Sequence, residues 1–156
     1  MEKSLILFNK QEIGKGVRAN RKYAAGEHIL VFSGPLLDRD ELPEIITPED
    51  DRYMQIGIRT FIGSSRRVDD FVNHSCDPNS GAKFHDNRVE LVALRDIEAG
   101  EEVTWDYSTT MFEDDWEIEC LCGAYNCRGR IREFRYLPDD IKRKYISFGI
   151  VPEYNM

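Results

Sequence analysis

Residues 71–80 read FVNHSCDPNS. An amide, an imidazole, a hydroxyl and a thiol stand side by side at Asn73, His74, Ser75 and Cys76, directly ahead of a turn-forming Asp-Pro-Asn. Taken alone, His74 reads as a hydrogen-bonded structural histidine. Its neighbours, and the rest of the chain, decide whether this stretch binds something.

The chain has 156 residues, enough for one domain and one core, since a domain of this size buries roughly 70 % of the surface its unfolded chain exposes. Apolar runs stay well short of the roughly 18 residues of a membrane span, and the start MEKSLILFNKQEIG lacks the small-residue cleavage site of a signal peptide. A soluble intracellular protein with no membrane partner is expected. Lysine plus arginine is 21 against 29 for aspartate plus glutamate, giving a net charge of −8. A phosphate backbone is repelled by that balance, so no direct nucleic-acid binding is expected and a basic partner suits the chain better. The charge is unevenly spread: residues 38–51 carry seven acids and one base, and residues 128–135 carry four arginines and one acid. Each run reads first as a solvated face and second as a docking surface.

The secondary-structure signals are mostly short strands. SLILF (4–8) and HILVF (28–32) are apolar runs bounded by turn residues, with AAGE turning into the second. Residues 82–94 read as a hairpin turning at Asp86 and Asn87, with Val89, Leu91 and Ala93 alternating against Glu90, Val92 and Leu94. IEAGEEVTW repeats the pattern of turn followed by strand. One helix is expected over 137–149, with Pro138 in its first turn, Asp139 and Asp140 at the positive end of its dipole, and Gly149 at its stop. Ile141, Tyr145 and Phe148 fall on one face of it, which makes it a brace on a β core.

Four cysteines in a chain of this type point to metal or catalysis rather than disulfides. Cys120, Cys122 and Cys127 form C-x-C-x4-C in CLCGAYNCRG (120–129), with Gly123 to let the chain turn. Three thiolates this close can converge on one soft cation, and a tetrahedral structural zinc needs a fourth ligand, for which Cys76 is the remaining cysteine. Free buried cysteines are the alternative.

Together these residues resemble the SET-domain protein-lysine methyltransferases, from about Ile13 to Arg130 and through four motifs in the family's order. GKGVRA (14–19) resembles the N-terminal glycine motif, FVNHSCDPN (71–79) the Asn-His pseudoknot motif, GEEVTWDY (100–107) the motif ending in the active-site tyrosine, and CLCGAYNCRG the post-SET zinc motif. The resemblance implies a mainly β fold with a small α component: a β-clip-like arrangement of small sheets with a pseudoknot, a post-SET zinc segment and a C-terminal helix. It divides the chain into a SET domain at 1–119 with a variable insert at about 38–68, a zinc segment at 120–135, and a helix and tail at 136–156, all one globular unit.

The resemblance also implies S-adenosylmethionine as cofactor and a basic lysine-containing protein or peptide, such as a histone, as substrate. Carried over as cofactor contacts are Lys15, Gly16, Val17, Tyr53, Asn73, His74, Tyr107 and Leu121. Carried over to the lysine pocket are Tyr107 as the catalytic tyrosine, Phe32 and Trp105; to one structural zinc, Cys76, Cys120, Cys122 and Cys127. Three positions depart from the family's pattern. Phe32 stands where many members have tyrosine, Asp70 where an arginine is frequent, and Trp105 where Phe or Tyr governs the number of methyl groups added. A catalytically weak SET-like module that binds a basic peptide is the alternative, and a purely structural zinc protein ranks behind both. Oligomeric state and target lysine are not legible.

Overall fold

A computed structural model describes residues 4–47, 50–86, 88–112 and 115–156. Among them the chain forms twelve short strands and one α-helix: β1 (Leu5–Lys10), β2 (Gly14–Ala19), β3 (His28–Val31), β4 (Leu36–Asp38), β5 (Met54–Gln55), β6 (Thr60–Ile62), β7 (Asn73–His74), β8 (Ser80–His85), β9 (Arg88–Ala93), β10 (Thr104–Trp105), β11 (Ile118–Glu119), β12 (Arg130–Ile131) and α1 (Asp139–Ser147). The small sheets are β1-β2, β3-β9-β8, β4-β6-β5, β7-β10 and β11-β12. This is the mainly β class with one helix that the sequence predicts.

Local chemistry sets most of these elements. The AAGE turn needs a left-handed residue, and Gly26 supplies it at φ 84° while its N–H bonds the Ala93 carbonyl at 2.7 Å, docking the turn onto the end of β9. The hairpin β8-β9 pairs from Ser80↔Ala93 to His85↔Arg88. The turn expected at Asp86 and Asn87 falls between these two strands, and Asn87 lies outside the described residues. Inward positions of the strands make the main core, where Val17, Leu91, Ile97 and Val103 are fully buried beside Leu5, Ile29, Leu30 and Trp105. Burying each aliphatic side chain of this kind contributes roughly 1.5–3 kcal/mol.

The pairing of β7 with β10 is parallel, Asn73↔Thr104 and Trp105↔His74. A parallel pair needs a crossover, and here the hairpin β8-β9 supplies it. The FVNHSC stretch is thereby brought beside the TWDY stretch.

Two expectations need correcting. Val92 is buried like Leu91, so the predicted alternation fails at that end of β9, because the second face of the sheet is also covered. Gly81, the partner of Val92, lies so close to Ile150 that an added Cβ would come within 2.7 Å of it. The helix is also shorter than expected: Pro138 is its N-cap rather than part of its first turn, and Phe148 is an exposed C-cap residue. The chain reverses at Gly149 (φ 69°), so Ile150 takes the buried place that helical periodicity assigns to Phe148. Beside the main core stand two smaller clusters. Phe134, Leu137, Tyr145, Ile150 and Val151 hold α1 as the predicted brace, and Cys76, Met111, Cys120 and Ile131 join the cysteine segment to the 71–80 loop.

Candidate active site

The parallel pair β7-β10 delivers the chemistry-bearing residues. Beyond β10, Asp106 caps a 3-10 turn at Tyr107–Thr109 by accepting the Ser108 N–H at 3.0 Å. That turn fixes Tyr107, whose N–H donates to His74 Nδ1 at 3.1 Å and whose hydroxyl donates to the Val72 carbonyl at 2.8 Å. Its ring packs 4.9 Å from Trp105 and 5.4 Å from His74, and Trp105 in turn lies 5.7 Å from Phe32. Burial raises the Tyr107 phenol above its ordinary pKa, so it stays protonated and donating.

Because Nδ1 of His74 accepts, the ring proton sits on Nε2, which points at Cys76 Sγ 3.4 Å away. Burial brings this imidazole down to about 4, against an upward pull from Asp106, so it is neutral. Both ring nitrogens are occupied within the protein, which leaves the His74 backbone rather than its side chain for a ligand. Asn73 donates through Nδ2 to the Lys15 carbonyl at 2.9 Å and to Glu102 Oε1 at 3.0 Å, tying β2 to this loop.

These residues face a cavity of about 810 Å³. Phe32, Trp105 and Tyr107 form an aromatic end; Tyr53, Asn73, His74 and Leu121 line it as well. Seven acidic side chains line the cavity against the two arginines Arg39 and Arg52, so the site favours a cationic occupant. Lys15, Gly16 and Val17 are not among the lining residues. Val17 is fully buried in the core, and the missing side chain of Gly16 makes room for the Phe8 ring and Glu102, which an added Cβ would meet at 2.7–2.8 Å. Lys15 Nζ and the Arg52 guanidinium each sit 5.3 Å from the Phe71 ring centre. Asp70, the departure noted beside Phe71, accepts from Ser64 Oγ, Ser65 N and Arg66 N and so holds the 64–66 loop.

Cys76, Cys120, Cys122 and Cys127 converge, with all four Sγ atoms within 4.8 Å of one another and Cys76 Sγ 3.8 Å from Cys120 Sγ. A tetrahedral zinc with Zn–S bonds of about 2.3 Å sets its sulfurs about 3.8 Å apart. Arg128 N–H points to Cys76 Sγ and Gly129 N–H to Cys127 Sγ, each at 3.4 Å, an arrangement that stabilises thiolates. The donor set therefore fits a metal ion. Cys120 and Cys122 also line the cavity, with Leu121 between them, so the cysteine cluster and the cavity share a wall.

Asp106 is the residue that motif reading missed. Its carboxylate is wholly buried and takes the Arg128 guanidinium at 2.9 Å and the Tyr145 hydroxyl at 2.9 Å. Three of the four arginines of the basic run find carboxylates far off in sequence: Arg128 at Asp106, and Arg130 and Arg132 at Glu117; Arg135 pairs with nearby Glu133. The run is thus largely neutralised from within.

The pattern described as SET domain matches residues 14–108. A Saccharomyces cerevisiae protein named "Histone-lysine N-methyltransferase, H3 lysine-4 specific" is 34% identical over 145 residues, covering 81% of this chain and 13% of that relative. A Plasmodium falciparum "Variant-silencing SET domain-containing protein" is 32% identical over 143 residues, covering 80% and 6%. The chain therefore spans a small part of the curated relatives it matches. Among solved structures, Arabidopsis thaliana SUVH6 in complex with SAM superposes with a TM-score of 0.69 at 26% identity, covering 82% of this chain and 32% of that one. KRYPTONITE in complex with mCHH DNA, an H3(1-15) peptide and SAH gives 0.66 at 26% identity, covering 82% and 29%.

Proposed function

The chain belongs to the SET-domain family, and from that premise we propose that it is a protein-lysine N-methyltransferase acting on a basic, histone-like protein or peptide. The observation that carries this reading is the aromatic end of the cavity, where Phe32, Trp105 and Tyr107 form an apolar sleeve in a cavity that seven acidic side chains also line. A lysine side chain fits such a sleeve, its stem against the rings and its amine beyond them. The relatives' names, and the SAM, SAH and H3 peptide in the similar structures, support the same chemistry.

S-adenosylmethionine supplies an electrophilic methyl on a positively charged sulfur when bound. Tyr53, Asn73, the His74 backbone and Leu121 are the lining residues we assign to holding it, with Lys15, Gly16 and Val17 shaping the strand behind them. The lysine lone pair attacks the methyl carbon, the carbon–sulfur bond breaks, and the amine proton leaves to solvent. An unperturbed lysine pKa of about 10.4 makes the neutral amine cost about 4–5 kcal/mol near neutrality. Desolvation by the aromatic sleeve and repulsion from the sulfonium both lower that cost, so no general base is invoked. Tyr107 and the Val72 carbonyl present their oxygens together at this end, positioned to hold a methyl group through weak C–H···O contacts.

We further assign one structural zinc to the four cysteines. We likewise assign a SET domain to 1–119, a zinc segment to 120–135 and a C-terminal helix and tail to 136–156.

Calorimetric titration of the protein and its Tyr107→Phe variant with S-adenosylmethionine, followed by methyl transfer to lysine-rich peptides, tests the reading. We expect both proteins to bind the cofactor, with transfer by the variant reduced by about a hundredfold or more. Absence of cofactor binding by the parent would replace the enzyme with a peptide-binding module.

A further inference from the structure

The segment that carries Tyr107 is gripped from the C-terminal part of the chain at three places. Tyr145 of α1 donates its hydroxyl to Asp106 Oδ2 at 2.9 Å. Tyr154 places its hydroxyl 2.7 Å from the Thr110 carbonyl and 3.1 Å from that of Gln55. Asn155 donates through Nδ2 to the Thr109 and Met111 carbonyls at 3.0 and 3.3 Å. The first of these contacts reaches Asp106, the cap on which the turn at Tyr107–Thr109 begins, and the third reaches Thr109 at its other end. The Asp106 carboxylate is wholly buried and caps the turn through Ser108 N–H, so the direction of that carboxylate sets where the turn begins, and it begins at Tyr107. Arg128 holds the carboxylate from the cysteine segment, and Tyr145 holds it from the helix.

We propose that Tyr145 is a positioning residue for Tyr107, acting through the Asp106 carboxylate, so that helix α1 belongs to the catalytic apparatus rather than merely covering the core. The proposal rests on the methyltransferase reading. Tyr145 is buried among Phe134, Leu137 and Ile150, and these contacts do not need its hydroxyl. Tyr145→Phe keeps the packing and removes a single hydrogen bond to a charged group. A carboxylate freed on one side re-aims under the pull of Arg128, and a shift well below an ångström in the turn moves the Tyr107 hydroxyl out of line with the reacting atoms.

The test compares the parent, Tyr145→Phe and Tyr154→Phe in steady-state methyl transfer, zinc content, thermal melting and 19F spectra of protein labelled with 3-fluorotyrosine. The Tyr107 resonance is assigned from Tyr107→Phe. For Tyr145→Phe we expect kcat to fall about tenfold with both KM values within about twofold, zinc retained, and the Tyr107 resonance moved. Tyr154→Phe, which acts at Thr110 and farther from the cap, gives a smaller fall in the same sense. Unchanged kcat in Tyr145→Phe overturns the proposal, as does a fall that only tracks melting temperature and zinc content while the Tyr107 resonance stays in place. A parent that transfers no methyl group sinks the methyltransferase reading instead. In that case the 19F spectra alone decide the coupling: a moved Tyr107 resonance supports it and a fixed one overturns it.

Discussion

Asp106 and Arg128 form an ion pair that solvent scarcely reaches, the carboxylate fully buried and the guanidinium side chain 17% exposed. Removing one partner of such a pair leaves the other charged and desolvated, which costs far more than the pair itself contributes. Asp106→Ala is therefore expected to lower unfolding free energy by about 3 kcal/mol in urea titrations, and Asp106→Ala/Arg128→Met to recover part of that loss. Equal destabilisation of the single and double variants would show that the buried charge is not the cause. At this scale the sequence is legible where motifs repeat a family pattern, as at Asn73, Cys76 and Tyr107. Asp106 is not, because an aspartate between two aromatics carries no mark of burial until Arg128 and Tyr145 are folded onto it. Val17, carried over as a cofactor contact, has its side chain wholly inside the core, which leaves only its backbone for such a role.

Among the elements, the β11-β12 hairpin has two different faces. Ile118 and Ile131 line the cavity, and Arg130 and Arg132 on the other side share Glu117. The cysteine cluster joins the loop between these strands to Cys76, with Leu121 lining the cavity from between two of the cysteines. Stripping the metal with a chelator should therefore remove the wall of the cavity before it unfolds the β core. The expected result is one zinc per chain by elemental analysis, loss of S-adenosylmethionine binding on chelation, and a melting transition lowered but still cooperative. Cofactor binding that survived full removal of the metal would separate this hairpin from the site. Apolar runs and turn residues make β1, β3, the β8-β9 hairpin and β10 readable, whereas β2 and the two- and three-residue strands β4–β7, β11 and β12 carry too short or too polar a pattern. The helix face was misread at Phe148 because periodicity assumes the helix continues, whereas Gly149 turns the chain and hands the buried position to Ile150.

For the molecule as a whole, charge is arranged by use. Seven carboxylate side chains line the cavity against two arginines, while the arginine run that looks like a second binding surface is spent on internal partners. Raising salt from about 50 to about 300 mM shortens the Debye length from about 14 to about 6 Å. KM for a lysine-rich peptide is expected to rise several-fold over that range while kcat changes little. A KM indifferent to salt would remove the acidic lining from substrate capture. Composition pointed to a basic partner, but only the fold shows which acids line the cavity, and that one of them, Asp70, also holds a loop.

The parallel pairing of β7 with β10, and the grip of Tyr145 on Asp106, also set an order in time. Tyr145 follows Asp106 by 39 residues, so at a synthesis rate of about 5–20 residues per second the catalytic turn emerges roughly 2–8 s before the side chain that fixes it. A nascent chain in that interval holds Tyr107 without its anchor. On the proposed methyltransferase reading, full turnover is therefore expected only after the helix has arrived.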